Sequence, residues 1–145
     1  MKSLFILVLS AFILFGCSDG PGEIVTGFDN CDNCRMKINN DRFYAGILTT
    51  KGKFLKYDSI ECAVASILEG TVKDVKTVYV ADFNGSGLID AETAVFVKST
   101  KVKSPMGLNA PAFINESDAV KTLKDETVNP VNFSKLKEIV KTEWM

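Results

Sequence analysis

Tyr57–Ile67 reads YDSIECAVASI, and Phe113–Leu123, offset by 56 residues, reads FINESDAVKTL. The shared pattern is Tyr57-x5-Ala63-Val64-x2-Ile67 against Phe113-x5-Ala119-Val120-x2-Leu123. In both stretches an aromatic residue closes a β-rich run. A polar capping residue follows, and then apolar residues at helical spacing. Asp58 or Ser59 is expected to cap a first helix that runs to about Leu68, turns Ala63, Val64, Ile67 and Leu68 inward, and stops at Gly70. Ser117 is expected to cap a second helix with Ala119, Val120 and Leu123 inward. A match this short also arises by chance, and that alternative stays open.

Strands precede each helix. Arg42–Thr50 (RFYAGILTT) alternates and is rich in β-formers, Lys51-Gly52-Lys53 is a turn, and Phe54-Leu55-Lys56-Tyr57 begins a second strand. In the other half, Lys76–Phe83 (KTVYVADF), Glu92–Lys98 (ETAVFVK) and Ala112-Phe113-Ile114 read as strands, with a turn at Asn84-Gly85-Ser86-Gly87. The hairpin loop of this half is the longer one and contains Met106. From Phe133 to Trp144 the residues Phe133, Leu136, Ile139 and Val140 recur at helical spacing. The expected fold class is α+β: two similar ββα units packed together, plus a C-terminal helix. The expected units are 28–75 and 76–127, followed by a helical tail over 128–145.

The first residues predict export. Lys2 is followed by an apolar run from Leu4 to Phe15, about 12 residues, which suits a signal peptide and is too short to span a bilayer of roughly 30 Å. The run ends Leu14-Phe15-Gly16-Cys17, which resembles a lipoprotein cleavage box. Residues 1–16 are then a lipoprotein signal peptide, Cys17 is the lipidated residue, and 17–27, with Ser18-Asp19-Gly20-Pro21-Gly22, form a tether. A lipid-bearing Cys17 would hold the domain to a membrane, inner or outer, facing the periplasm. An ordinary secreted chain with a chance cysteine is the alternative.

Composition narrows the chemistry. The formal net charge is −1 and no basic stripe occurs, which argues against nucleic acid as a partner. Histidine is absent, which removes the commonest zinc ligand and every catalytic arrangement built on an imidazole. With Cys17 lipidated, Cys31, Cys34 and Cys62 remain, an odd set that cannot close into a disulfide framework.

Cys31-Asp32-Asn33-Cys34-Arg35-Met36 lies on polar, loop-like sequence. Two thiolates three positions apart can turn onto one ion, and the Met36 thioether adds a third soft donor. Such sulfur-only sets favour Cu(I). Zinc would want four ligands, so Cys62 or carboxylates would have to supply the rest. A Cys31–Cys34 disulfide is the structural alternative. Because so small a loop is strained, its sharper form is a membrane-tethered thiol–disulfide oxidoreductase. Against that, Asn39-Asn40-Asp41 follows too soon for the long helix of a thioredoxin-like site.

Ser104-Pro105-Met106-Gly107 fixes a loop around Met106, so that its sulfur is presented, although gap-filling in a core is an equally ordinary use of methionine. Cys62, in the first helical turn, reads more simply as a small buried residue than as a thiolate, and stands as an additional ligand if it faces the ion. Asp82–Asp90 matches a calcium loop at several positions, yet Thr93 stands where the bidentate glutamate belongs, so a hairpin turn is the expectation.

Taken together these motifs resemble the NosL family, lipoproteins associated with nitrous-oxide reductase. Cys17 in its cleavage box, Cys31-x2-Cys34-x-Met36, the Asp58/Cys62 segment, Asp82…Asp90-x3-Ala94 and Ser104-Pro105-Met106-Gly107 fall in that family's order, over about residues 14 to 125. The resemblance implies a non-enzymatic Cu(I) chaperone for the copper sites of nitrous-oxide reductase. Its partner would be the reductase or its assembly machinery, and the fold would have two ββα-type halves. It makes Cys31, Cys34, Met36 and Met106 the candidate copper ligands. Family proteins often carry a histidine near the metal, and this chain has none. The tail after Thr127 is not explained by the resemblance.

Overall fold

The computed structural model describes residues 20–124 and 126–145, so the expected signal peptide and Cys17 lie outside the described residues. Strand β1 (Ala45–Thr49) pairs antiparallel with β2 (Phe54–Tyr57), and helix α1 (Ile60–Leu68) follows. Next come β3 (Val75–Ala81), β4 (Leu88–Asp90), β5 (Val95–Val97) and β6 (Ala112–Phe113), then helix α2 (Glu116–Thr122). Strand β7 (Pro130–Val131) leads into α3 (Phe133–Ile139), which continues as a π-helical turn over Val140–Trp144. Among the described residues the fold is α+β, with two antiparallel sheets and three α-helices. No helix among the described residues is long and apolar enough to cross a membrane.

The β1-β2-α1 and β5-β6-α2 runs are each an antiparallel strand pair followed by a helix. Tyr57 and Phe113 end the second strand of each run and are buried, as are Ala63 and Ala119 on the helices that follow. Strands β3 and β4 extend the first sheet, in the order β2-β1-β3-β4, and β7 extends the second, in the order β6-β5-β7. The sheets meet where Asp82 bridges Ala112 and the Phe83 amide donates to the Ala112 carbonyl at 2.8 Å.

Every residue of β1 is buried, as befits a central strand with α1 on one face. Its glycine has a steric cause, because the Phe54 ring lies across Gly46 where a side chain would stand. A Cβ on Gly22 would sit 2.7 Å from the same ring, so the incoming segment closes over β2 on the side away from the helix. The main core gathers β1, the inner residues of α1, Phe96, Phe133, Leu136 and Val140. A smaller cluster of Phe43, Phe83, Val97, Phe113, Ala119 and Leu123 sits under α2.

Several local expectations are corrected. The cap of α2 is Asn115, whose side chain accepts from the Asp118 amide at 2.9 Å, so the helix starts before Ser117. Val120 is 51% exposed, because a seven-residue helix seats only its Ala119 and Leu123 ridge on the sheet. Leu68 is 40% exposed in the last turn of α1. The strand expected over Glu92–Lys98 shortens to Val95–Val97, because the amides of Glu92, Thr93 and Ala94 are spent on a turn around Asp90.

Candidate metal centre

The Cys31–Cys34 segment is a closed knuckle. The Cys31 amide donates to the Met36 carbonyl at 2.8 Å, the Arg35 amide donates back to the Cys31 carbonyl at 3.0 Å, and Asn30 bridges Lys37. Arg35 takes the left-handed conformation, φ 65°, that reverses the chain after Cys34. The knuckle is fastened to β2. The Asp32 amide donates to the Lys56 carbonyl and the Lys56 amide donates to Asp32 Oδ2, both at 2.7 Å. Lys56 Nζ also reaches Asp29 Oδ2 at 2.8 Å, and the Val25 amide donates to the same oxygen at 2.7 Å. The lysine first, then that amide, hold the Asp29 carboxyl below its ordinary 3.8.

Fastening the knuckle to β2 brings it against the β2–α1 corner. The sulfurs of Cys31, Cys34 and Cys62 and a carboxylate oxygen of Asp58 all lie within 4.8 Å of one another. Four donors set tetrahedrally at about 2.3 Å from one ion stand roughly 3.8 Å apart, so a closure of at most about 1 Å between any two brings all four into a coordination shell. All three cysteines are free thiols. Cys31, Cys62 and Asp58 are buried, and Cys34 alone of the four is partly open to solvent.

The electrostatics are those of an anionic pocket. A hydrogen bond from the Cys62 thiol, joined by the amides of Asp58, Cys34 and Asn33, lowers Cys31 to about 6, despite burial. The same bond pushes Cys62 far up, with burial and the charges of Cys31 and Asp58 in the same direction. Burial raises Cys34, and proximity to Cys31 adds to it. Cys31 is therefore the thiol that gives up its proton most readily, Cys34 and Cys62 hold theirs more tightly, and a metal binding all three displaces those protons. Neither carboxylate oxygen of Asp58 accepts from a nitrogen or hydroxyl, although the residue is only 3% exposed; its one neighbouring donor is the Cys62 thiol. An unsatisfied buried carboxylate is costly, and a cation placed among these donors supplies what it lacks.

Of the residues expected at the site, Cys31 and Cys34 meet, and Cys62 joins them: it is buried, as expected, with its sulfur in the cluster. Met36 lies on the rim, 53% exposed, and its amide faces the Cys34 sulfur. Met106 is half-buried and packs against the core cluster that contains Cys31 and Cys62. Asp58 or Ser59 was expected to cap α1, and the Asp58/Cys62 segment was part of the resemblance. Ser59 is the cap, as one of the two expectations had it, and makes no side-chain cap bond. The only signal for Asp58 as a donor was its membership of that segment; it precedes the helix, whose first residue is Ile60.

The calcium-like stretch is the hairpin between β3 and β4. Asn84 Oδ1 accepts from Thr122 Oγ1 at 2.9 Å, and Asp90 Oδ1 accepts from the Glu92 amide, so two of the loop's oxygen donors are already used.

The sequence model of the NosL family matches residues 24–141 of this chain. No curated protein matches. Among solved structures, the crystal structure of the copper chaperone NosL from Shewanella denitrificans is similar, with a TM-score of 0.66 and 22% sequence identity over 79% of this chain and 93% of that one. At that identity the likeness establishes a shared fold.

Proposed function

Since the chain belongs to the NosL family, we propose that it is a Cu(I) chaperone, without catalysis of its own, tethered to a membrane by lipid on Cys17. In this proposal it supplies copper to nitrous-oxide reductase or to its assembly machinery. The observation that carries the copper assignment is the meeting of three sulfurs in one buried place that opens only at Cys34. Thiolates select soft Cu(I), which accepts two or three donors and leaves positions open for an incoming ligand. Cys31 and Cys62 hold the ion from inside, and Cys34 is the sulfur a partner reaches first. Met36 at the rim and Met106 from the β5–β6 loop are the thioether donors that take the place of a thiolate during transfer. Asp58, a hard donor, balances the charge of the ion rather than selecting it.

Anaerobic Cu(I) titration against a chromogenic chelator tests this. One ion bound by the parent, with affinity reduced about tenfold or more in Cys31→Ser and in Cys34→Ser, is the expected result. Undiminished affinity in both would end the proposal.

Zinc is a second reading, favoured by the count of donors. Three cysteines and one aspartate make a complete tetrahedral set. Retention of Zn(II) when one equivalent of Cu(I) is added would decide for it. The oxidoreductase alternative is disfavoured by accessibility. An attacking thiolate must reach a substrate disulfide, and Cys31, the thiol of lowest pKa, is fully buried.

A further inference from the structure

Glu61, next to Cys62 in α1, is 1% exposed and has no role in the cysteine cluster. Its Oε1 accepts from Ser104 Oγ at 2.9 Å and from the Leu108 amide at 3.0 Å. Those two donors flank the Ser104–Gly107 turn, which the Gly107 amide closes onto the Ser104 carbonyl at 3.2 Å. Ser104 Oγ also accepts from the amides of Gly107 and Asn109, and Asn109 Oδ1 accepts from the Ser104 amide. One buried oxygen of α1 thus grips both ends of the turn that carries Met106.

The turn is held a second time from the chain's end. Trp144 Nε1 donates to the Met106 carbonyl at 2.9 Å. The neighbouring Glu143 pairs with Lys98, the residue that follows β5. With the backbone fixed before it, after it and at its own carbonyl, Met106 is left with only its side-chain torsions. That side chain packs, half-buried, against the core to which Cys31 and Cys62 belong, as does Cys34. A carboxylate buried beside a cysteine is costly unless its hydrogen bonds achieve something. Here they place one flexible thioether.

We infer that Glu61 and Trp144 are positioning residues that aim the Met106 sulfur at the ion held by Cys31, Cys34 and Cys62. The inference rests on the copper proposal and goes beyond it by assigning a task to a buried acid and to the end of the C-terminal tail. Neither residue touches the metal. They remove the backbone entropy that a loop carrying this three-torsion side chain would otherwise lose on binding.

The test uses the protein labelled with 13C-methyl methionine, in which Met36, Met106 and Met145 remain once residues 1–16 are removed, with Met106→Leu to assign the signal of interest. On anaerobic addition of one equivalent of Cu(I), the thiolate-to-copper absorption appears and the Met106 methyl signal moves. In Trp144→Phe and Glu61→Ala the absorption persists while the Met106 displacement falls by more than half. Glu61→Gln, which keeps the accepting oxygen, restores it. Should Glu61→Ala not fold, Ser104→Ala cuts the same grip from the half-exposed loop. A purely structural role would lower the melting temperature of these variants and leave the methyl displacement intact, which overturns the inference. So does copper absorption in the parent with a silent Met106 methyl. Absence of copper absorption in the parent defeats the copper proposal itself, and the inference with it.

Discussion

At the scale of single residues, Asp58 carries the most information about the pocket. Its two oxygens are buried with no nitrogen or hydroxyl donor, beside the sulfurs of Cys31, Cys34 and Cys62. Such a group destabilises the empty fold and rewards a cation. Asp58→Asn is therefore expected to raise the melting temperature of the metal-free protein, by the order of 1–3 kcal/mol that an unsatisfied polar group costs. The further rise on adding Cu(I) should shrink. Paired thermal melts with and without the ion check this. A variant less stable than the parent when empty would mean that Asp58 is satisfied in solution. Spacing alone exposed Cys31 and Cys34 in the sequence, because a Cys-x-x-Cys loop carries its geometry with it. The part played by Asp58 depends on burial and on missing donors, and neither is written in the chain locally.

At the scale of elements, the knuckle keeps its place through its bonds to β2. Lys56 is the fastening point: its backbone pairs with Asp32 and its ammonium with Asp29. Asp29 titrates lower in the folded protein than in the unfolded chain. Its contribution is therefore present above the ordinary value of 3.8 and is lost as pH falls through the depressed folded value. Asp29→Asn is expected to cost at most about 1 kcal/mol at pH 7. Parent and variant should converge in denaturant midpoint once the pH falls below the depressed folded value. A difference that persists in acid would assign the effect to something other than the ion pair. The elements legible beforehand were those with local signatures: the Lys51–Lys53 turn between two alternating runs, and the α1 stretch from Ser59 to Gly70. Strands β4 and β7, of three and two residues, exist only through their partners β3 and β5. Pro130 even lacks the amide that a ladder uses, which an edge strand tolerates.

At the scale of the molecule, the C-terminal tail closes both the core and the site. The resemblance in the sequence left the residues after Thr127 unexplained. Their helical spacing foretold α3, yet nothing local told where its apolar face would go. It lies on the main core, where Phe133, Leu136 and Val140 are buried beside α1 and Phe96. Each such side chain contributes roughly 1.5–3 kcal/mol. Three of them approach the whole stability of an ordinary domain, about 5–15 kcal/mol. Leu136→Ala, at a fully buried position, is thus expected to cost about 2–5 kcal/mol in chemical denaturation. Because α3 leads directly into the turn that presents Trp144 to Met106, loosening it should also free the Met106 loop. Amide hydrogen exchange at Gly107 and Leu108 should then quicken more than exchange within β1. Equal acceleration at both places would mean that the variant opens globally and that tail and loop are not specially coupled. A loss below 1 kcal/mol would mean that the core closes without the tail.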